Sequence, residues 1–324
     1  MALYDFVPRR NNLKVWVPVL GTLAVFPLFV RDEYILNTAI FAGIYVILAS
    51  SLNITNGYTG LFSFGHAAFY GIGAYTAAIL ATRFHFPFLL TLPLAGIVAG
   101  AFGAAIALPT LRLKGIFLAL VTIGFQQITF LVIMNWIGLT RGPMGLPGIP
   151  SPTIGSFAIE SKTAYYYLVL VYLLLTLLSI QRLVNSRVGR AWIAIREDET
   201  AAMAMGIDTA RYKIMAFSLG AFFAGIAGSF YAVYISFVSP DAFKMMDSYL
   251  IFAMPAVGGM GTMLGPLIGA LIVYVLPEIT RVFSDYRMLW VGALLVVVMV
   301  SEPRGVLGGV ASLIERSRRV RQES

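Results

Sequence analysis

Residues 53–66 read NITNGYTGLFSFGH and interrupt two apolar stretches, 34–52 and 67–83. This segment, the first break, is too polar and too rich in glycine for a helix that faces lipid. Leu61 and Phe62 also make it too apolar for a free loop. Irregular backbone at membrane depth persists only where protein buries it or where it lines a water-filled cavity. The first break therefore predicts an interrupted membrane helix inside a helical bundle.

The composition of the whole chain is typical of a membrane protein. Of its 324 residues, 59% are hydrophobic and 12% are charged, and the mean hydropathy is +0.85. A soluble domain is about half apolar and about a quarter charged, so this chain has too few charges to cover a surface in water. Cysteine is absent, and two histidines, His66 and His85, leave little for metal binding. We expect no metal and no cofactor.

Apolar runs that approach the length of a membrane span, about 20 residues, recur along the chain. The candidate spans are 15–30, 34–52, 67–83, 86–110, 115–139, 163–181, 214–237, 249–280 and 288–301. The first run lacks the small-residue cleavage site of a signal peptide, so we interpret it as a retained helix. We predict an all-α, polytopic membrane helix bundle. Residues 1–14 would form an N-terminal segment, 15–301 the transmembrane domain and 302–324 a basic tail.

Basic residues between the spans predict the orientation. Segment 182–213 carries six, the tail after residue 301 carries five and the N-terminal segment carries three, whereas loop 140–162 carries two. The positive-inside rule then places both termini and 182–213 in the cytoplasm and 140–162 outside. Termini on the same side need an even number of crossings, so we expect about ten, with 249–280 crossing twice. A re-entrant loop elsewhere is the alternative. The net charge of +8 follows from this topology and does not indicate nucleic-acid binding.

The apolar spans contain almost no ionisable residues, which limits how the chain could drive transport. Glu278, near Arg281, lies at a predicted helix end. A proton-coupled carrier keeps acidic or histidine side chains deep in its bundle. The sequence also lacks a Walker A loop for ATP and a filter-like motif for ions. The chain therefore has no visible energy source, and another protein energises it or transport is passive. We do not expect an enzyme.

A second glycine-rich stretch, GGMGTMLGP at 258–266, occupies the corresponding place in the other half of the chain and is called the second break. Ser63 and Thr262 could cap the helices that follow the two breaks. Paired breaks point to a pathway near the middle of the membrane, where helix N-termini offer free N–H groups to a carboxylate. Kinks that serve only packing are the alternative. The candidate pathway residues are Asn53, Asn56, Gly57, Thr59, Gly60, Ser63, Phe64, Gly65, His66, Gly258, Gly259, Gly261, Thr262 and Gly265.

A few other polar side chains lie in or beside the predicted helices. We interpret His66, at a helix start, as a structural hydrogen-bonding group rather than a ligand. Gln126, Gln127 and Asn135 share one span and either line the pathway or bridge helices.

Residues 186–213 predict two short helices joined by a charged turn. Gly206 could end the second helix in a left-handed conformation, and Asp208 could cap the helix that follows. Met203 and Met205 suit an adaptable docking surface. We therefore predict that this segment fits a groove on a cytoplasmic partner. The alternative is an amphipathic pair of helices that rests on lipid headgroups.

Several stretches resemble known transporters. The run ETAAMAMG at 199–206 is similar to the Glu-Ala-Ala…Gly coupling motif of ABC importer permeases, with Thr200 in place of the usual alanine. Residues 57–75, 189–208, 258–266 and 302–305 resemble the M-type permeases of branched-chain amino-acid importers, the LivM family. The resemblance spans most of the chain.

This resemblance implies a ten-helix importer in the bacterial inner membrane, with an H-type permease partner, two cytoplasmic ATP-binding subunits and a periplasmic substrate-binding protein. The solute would be a branched-chain or related hydrophobic amino acid. Segment 190–206 would take force from the ATPases. The coupling residues would be Arg190, Arg196, Glu197, Asp198, Glu199, Ala202 and Gly206. A urea or short-amide importer and an ion-coupled secondary carrier remain the alternatives.

Overall fold

The computed structural model describes residues 26–27, 32–113, 115–154, 157–280, 287–301 and 305–309. The helices are α1 (Glu33–Asn53), α2 (His66–Arg83), α3 (Phe88–Thr110), α4 (Ile116–Asn135), α5 (Ile137–Thr140), α6 (Lys162–Val184), α7 (Arg187–Glu197), α8 (Glu199–Ala204), α9 (Thr209–Ile235), α10 (Met245–Gly258), α11 (Gly265–Ala270), α12 (Leu276–Thr280) and α13 (Arg287–Ser301). Residues 305–309 are also helical. A π-helical turn, Ile54–Tyr58, continues α1, and another, Leu271–Val275, joins α11 to α12. The predicted segment 1–14 lies outside the described residues, as do most of 15–30 and of 302–324.

Five of the described helices are long and apolar enough to cross a membrane. They are Glu33–Tyr58, Phe88–Thr110, Ile116–Asn135, Lys162–Val184 and Thr209–Ile235, and three shorter apolar helices follow at Met245–Gly258, Gly265–Glu278 and Leu289–Val298. α2 is not among these spans, but most of its residues are buried where it packs on α3 and α9. The chain is therefore a helical bundle with several membrane-spanning helices, as predicted.

Small residues bring the backbones of α2 and α9 close together. A Cβ atom added at Gly73 would collide with the backbone of Gly225, and one at Gly228 would collide with the carbonyl of Tyr70. Between membrane helices there is little hydrophobic driving force, so close backbone packing contributes much of their association. Glycine at these positions lets the central helices approach each other.

Contacts at the helix ends define two opposite faces of the bundle. At the start of α1 and of α6, Glu33 forms an ion pair with Lys162, with 2.6 Å between Oε2 and Nζ. The hydroxyl of Tyr34 donates to the backbone oxygen of Glu278 at 2.9 Å, which brings α12 to the same place. We call this end, with the loop 136–161, the loop face. The other ends of α1 and α6 lie beside α7, and we call that end the α7 face.

Four two-residue strands add to the helical bundle. β1 (Leu146–Pro147) pairs antiparallel with β4 (Phe237–Val238), and β2 (Thr153–Ile154) forms a hairpin with β3 (Phe157–Ala158). Short 3₁₀ turns at Gly142–Met144 and Pro240–Phe243 lie next to β1 and β4. The pairing of β1 with β4 ties the long loop before α6 to the end of α9 at the loop face.

The stretch 249–280 runs to the α7 face and back to the loop face. α10 ends at the second break, and the run from α11 to α12 leads from this break to Glu278 beside Tyr34. The two arms touch through their backbones, because a Cβ atom at Gly258 would collide with the carbonyl of Gly265, and one at Gly269 with that of Met254. The stretch therefore folds back on itself as two arms packed side by side.

Candidate functional site

The first break begins where α1 widens into its π-helical turn. The hydroxyl of Thr59 donates to the carbonyl of Ile54 at 2.9 Å, and Gly60 then adopts a left-handed conformation with φ of 72°. A single π-helical turn within a helix is uncommon and often marks a functional site. α1 and this turn together contain 26 residues, a length of about 39 Å. The first break therefore lies near the α7 face, rather than half-way along the bundle.

The helix after the first break begins at His66, so the prediction that Ser63 caps it is wrong. Gly65 occupies the capping position and has no side chain with which to cap the helix. The side chain of Asn56 holds the backbone of Ser63 in the loop: Nδ2 donates to the Ser63 carbonyl at 3.0 Å, and the Ser63 N–H donates to Oδ1 at 3.2 Å. Because both backbone groups of Ser63 are engaged in this way, the helix starts three residues later.

The second break is a tight turn built on glycine. Gly259 and Gly261 have φ of 126° and 77°, values that residues with a side chain rarely adopt. The hydroxyl of Thr262 donates to the carbonyl of Gly259 at 2.8 Å and accepts from the N–H of Gly265 at 3.0 Å. Leu264 occupies the capping position of α11, so the prediction that Thr262 is its cap is wrong, although the Thr262 hydroxyl accepts from the first N–H of that helix. Pro266 lies in the first turn of α11.

Asn53 joins the two breaks directly. Its Nδ2 donates to the carbonyl of Thr262 and its Oδ1 accepts from the N–H of Gly261, both at 2.8 Å. The side chain is buried, and its carboxamide pairs with the second break as another peptide group would. A Cβ atom at Gly57 would collide with Asn53 Oδ1 and with the backbone nitrogen of Gly261. The predicted correspondence between the two breaks is therefore a physical contact.

Two backbone N–H groups around the start of α2 already donate to side chains, which differs from the expected carboxylate site. The N–H of Phe64 donates to Thr122 Oγ1 and that of Ala67 donates to Ser248 Oγ, both at 3.0 Å. Side chains of α4 and α10 therefore satisfy these donors in this conformation. A solute could reach them only if the bundle rearranged.

Gln126 bridges helices, one of the two roles left open by the sequence. It is buried, and its Nε2 donates to the carbonyl of Phe243 at 2.7 Å, while Ser248 Oγ donates to its Oε1 at 3.4 Å. Gln127 is exposed, and Asn135 donates to the carbonyl of Leu131 within its own helix. Phe64, from the first break, packs on Phe252 of α10 with 4.3 Å between ring centroids.

His66 has the structural role expected of it. The ring is buried, and its Nε2 lies 2.7 Å from the hydroxyl of Ser51 on α1. No group of three histidine, aspartate or glutamate side chains that could hold a metal occurs within the described residues.

The segment after α6 forms the two short helices predicted from the sequence, α7 and α8. Asp198 forms the turn between them, and its carboxylate accepts from the N–H groups of Thr200 and Ala201 at 2.8 and 3.1 Å. Gly206 ends α8 with φ of 82°, and its N–H donates to the carbonyl of Met203 at 3.0 Å. Asp208 accepts from the N–H of Arg211 and caps α9. All three local predictions are confirmed.

One side of this segment is anchored in the bundle. Trp192 of α7 is fully buried, and its Nε1 donates to the carbonyl of Tyr212 at 2.9 Å. Glu199 pairs with Lys213 of α9, and only 17% and 4% of these side chains is exposed. Ala202 is buried as well. Glu199 and Ala202, predicted to act in coupling, therefore face the bundle.

The other side of the segment is exposed. It presents the predicted coupling residues Arg190, Glu197, Asp198 and Gly206, together with Met203 and Met205, of which Met205 is 83% exposed. In the sequence, Lys213 is one of the basic residues that indicate orientation, and Trp192 belongs to a short apolar run, 191–195. The sequence shows them near α7 and α8 but does not show which way they point.

Arg196 connects this segment to both breaks. Its Nη1 donates to the carbonyl of Gly57 at 2.5 Å, and a Cβ atom at Gly261 would collide with its guanidinium. We call Asn53, Gly57, Arg196, Gly261 and Thr262 the junction. Residues predicted separately as pathway and coupling residues therefore meet at one place. Phe64 and Gly65 lie outside the junction, towards α4 and α10, and His66 lies against Ser51 of α1.

A cavity of about 300 Å³ lies at the loop face, at the other end of the bundle from the junction. His85, Phe88, Pro150 and Val233 are among the residues that line it. It includes none of the predicted pathway residues.

Replacing Gly206 with proline is expected to unfold the end of α8 and to abolish most transport. Proline fixes φ near −65°, against the observed 82°, and it removes the N–H that donates to Met203. Together these effects cost about 3 kcal/mol or more. Uptake into membrane vesicles measures the effect. Gly206→Asn is the matched control, because asparagine tolerates the left-handed conformation. Uptake by the proline variant equal to that of the asparagine variant would contradict the prediction.

The chain is similar in sequence to known transport permeases. The family model described as branched-chain amino acid transport system, permease component, matches residues 34–300. The high-affinity branched-chain amino acid transport system permease protein LivM of Escherichia coli (strain K12) is 37% identical, over 91% of this chain and 75% of that protein. The probable LivM permease of Methanocaldococcus jannaschii is 27% identical, over 82% of this chain and 90% of that protein.

The chain is also similar to a relative with a different name. The LivH permease of Salmonella typhimurium is 26% identical, over 85% of this chain and 95% of that protein. No solved structure matches the chain significantly. Since the family model matches residues 34–300, well over half of the chain, and a relative above 30% identity is matched over three quarters of its length, the chain belongs to the family of branched-chain amino acid transport permease components.

Proposed function

We propose that the chain is a permease subunit of an ABC importer that moves branched-chain or related hydrophobic amino acids across the bacterial inner membrane. The observation that carries the proposal is the contact of Arg196 with Gly57, because it links the segment similar to a coupling motif to the broken helices. The names of the relatives, which are branched-chain amino acid permeases, support the substrate class.

The proposed topology has ten crossings and both termini in the cytoplasm. α1, α2, α3, α4, α6, α9, α10, α11 with α12, and α13 would supply nine of them, and 15–30 the tenth. The contact of Gly305 with the backbone of Gly259 supports a C-terminal segment at the α7 face. Six basic residues in 182–213 support a cytoplasmic position for that face.

The proposed partners follow from the exposed surfaces and from the relatives. One of two ATP-binding subunits would dock on the exposed side of α7 and α8, where Arg190, Glu197 and Met205 are accessible. A substrate-binding protein would meet the loop face, which carries the ordered strands β1 and β4. Similarity to both LivM and LivH proteins supports pairing with an H-type permease of the same family. The solute would pass between the two permeases, with the two breaks flanking its path.

In this proposal the chain performs no covalent chemistry. ATP-driven closure of the ATPases would move α7 and α8, and the bundle would alternate access between the two faces. The hydrogen bonds from Thr122 and Ser248 to the start of α2 would have to change for a carboxylate to reach those N–H groups. The buried polar residues of the first break provide alternative partners during such a change.

Reconstitution into liposomes tests the proposal. The chain, its H-type partner and the ATPases are combined with the binding protein, and uptake of radiolabelled leucine is measured with and without ATP. We expect uptake that requires ATP and that excess valine, but not urea or acetamide, suppresses. Suppression of uptake by urea alone would mean that the substrate is urea or a short amide rather than an amino acid. Uptake by the chain alone on an ion gradient would overturn the ABC mechanism.

A further inference from the structure

We propose that Arg196 is the positioning residue that transmits movement of the coupling segment to both breaks at once. This inference rests on the proposed function, because it needs a partner that pushes on α7 and α8. It also changes the role expected from the sequence. The resemblance to known permeases implies that Arg196 takes force from the ATPases. We infer instead that Arg196 acts on the inner side of α7, against the two breaks.

The carrying observation is that backbone from both breaks surrounds one guanidinium. Nη1 of Arg196 donates to the Gly57 carbonyl at 2.5 Å. A Cβ atom at Gly261 would collide with the guanidinium, and one at Gly60 would press on the stem of the same side chain. Glycine at these positions therefore leaves the space that Arg196 occupies.

Each neighbour of Arg196 is held by a further contact. On α7, Trp192 precedes Arg196 by one helical turn and is fixed by burial and by its bond to the Tyr212 carbonyl. On the other side, Asn53 holds Gly261 and Thr262 by two hydrogen bonds. A tilt of α7 therefore displaces Arg196, and Arg196 displaces both breaks, since Asn53 makes them move together.

The contact is suited to repeated breaking and re-forming. Arg196 as a whole is exposed, so its charge remains hydrated when the bond to Gly57 is lost. Its acceptor is a neutral carbonyl, so no carboxylate is left without a partner. A cation buried in an ion pair, such as Lys213 with Glu199, could not separate at a comparable cost.

The test compares variants in the complete transporter, with uptake and ATP hydrolysis measured in the same liposomes. For Arg196→Gln we expect normal assembly and ATP hydrolysis, but about a tenfold fall in amino acid moved per ATP, within the usual strength of coupling between two sites. Arg196→Lys retains the positive charge but lacks the planar guanidinium, so it should restore part of the amino acid moved per ATP. Arg182→Gln is the matched control, an exposed arginine in the last turn of α6 at the same face, outside α7 and α8. A wild-type ratio in Arg196→Gln would overturn the inference.

A second measurement follows the movement itself. The chain has no cysteine, so pairs of spin labels can be placed at Phe62→Cys in the first break and Asn185→Cys at the end of α6, both exposed sites. We expect ATP and vanadate to change the distance between the labels when Arg196 is present, and to leave it unchanged in Arg196→Gln. An equal change in both proteins, or no change in either, would overturn the inference. If the glutamine variant does not assemble, Arg196→Lys takes its place, and an amount of amino acid moved per ATP equal to that of Arg182→Gln would overturn the inference.

These outcomes separate the inference from the proposed function. If the wild-type complex shows no ATP-dependent uptake, the proposed function fails. If the wild-type complex imports amino acid with ATP and Arg196→Gln does so with equal yield, only the role of Arg196 fails.

Discussion

Gly258→Ala is expected to abolish transport and to lower the melting temperature of the purified protein substantially. The added methyl group would collide with the carbonyl of Gly265, across the hairpin formed by α10 and α11. Overpacking a tight contact costs about 1–3 kcal/mol and occasionally more. Here both surfaces are backbone, which cannot change rotamer, so we expect a cost at or above the top of that range. Thermal unfolding in detergent and uptake in vesicles measure the two effects.

Gly124→Ala is the control for this change. Gly124 is helical too, in α4, and a Cβ atom there would meet no described atom within 4 Å. Alanine is a better helix former than glycine by about 1 kcal/mol, so stability should stay the same or rise. If Gly258→Ala melted at the same temperature as Gly124→Ala and transported normally, the hairpin would not pack as described.

Glu199→Lys is expected to reduce uptake to near background while the protein still inserts in the membrane. The change places a second ammonium beside Lys213, of which only 4% is exposed. Removing one member of a buried ion pair costs about 3–5 kcal/mol, and a like charge adds repulsion. We expect α8 to detach from α9, which would separate the exposed docking surface from the bundle. Uptake in vesicles and limited proteolysis at α8 measure both effects.

Two further variants show whether the ion pair is responsible. Glu33→Lys makes the same charge reversal in the exposed ion pair with Lys162 at the loop face. It should lower the free energy of unfolding by less than about 1 kcal/mol. The double variant Glu199→Lys with Lys213→Glu restores opposite charges and should recover part of the uptake. If the double variant folds normally but recovers no uptake, a partner subunit must contact the carboxylate of Glu199 directly.

Local features of the fold could be predicted from the sequence with good accuracy. The spans 34–52 and 163–181 differ from α1 and α6 by at most three residues at either end, because a long apolar run is a local property. The left-handed end at Gly206 and the cap at Asp208 were also predicted, since both depend on neighbouring backbone. The cap at Ser63 was wrong because Asn56, seven residues earlier, competes for the same backbone.

The candidate site could be predicted only as a set of separate parts. The sequence identified both breaks and the coupling segment, but it contains no local signal that Asn53 bonds to Gly261 or that Arg196 bonds to Gly57. Nor does it show that Glu199 turns inward to Lys213 instead of outward to a partner. These contacts depend on how distant helices pack, which hydrophobic periodicity does not specify. Ser248 and Thr122 were missed for the same reason.

The bond between Asn53 and Gly261 also constrains how the protein matures. The two residues are separated by 208 positions, so the ribosome completes most of the chain before the carboxamide of Asn53 can bond to the backbone of Gly261 and Thr262. Moving an amide group from water into lipid without hydrogen-bond partners costs several kcal/mol of free energy. Until then, water or other polar groups at the α7 face must satisfy the carboxamide of Asn53. A nascent chain that stops before residue 261 therefore lacks the groups that join the first break to the second.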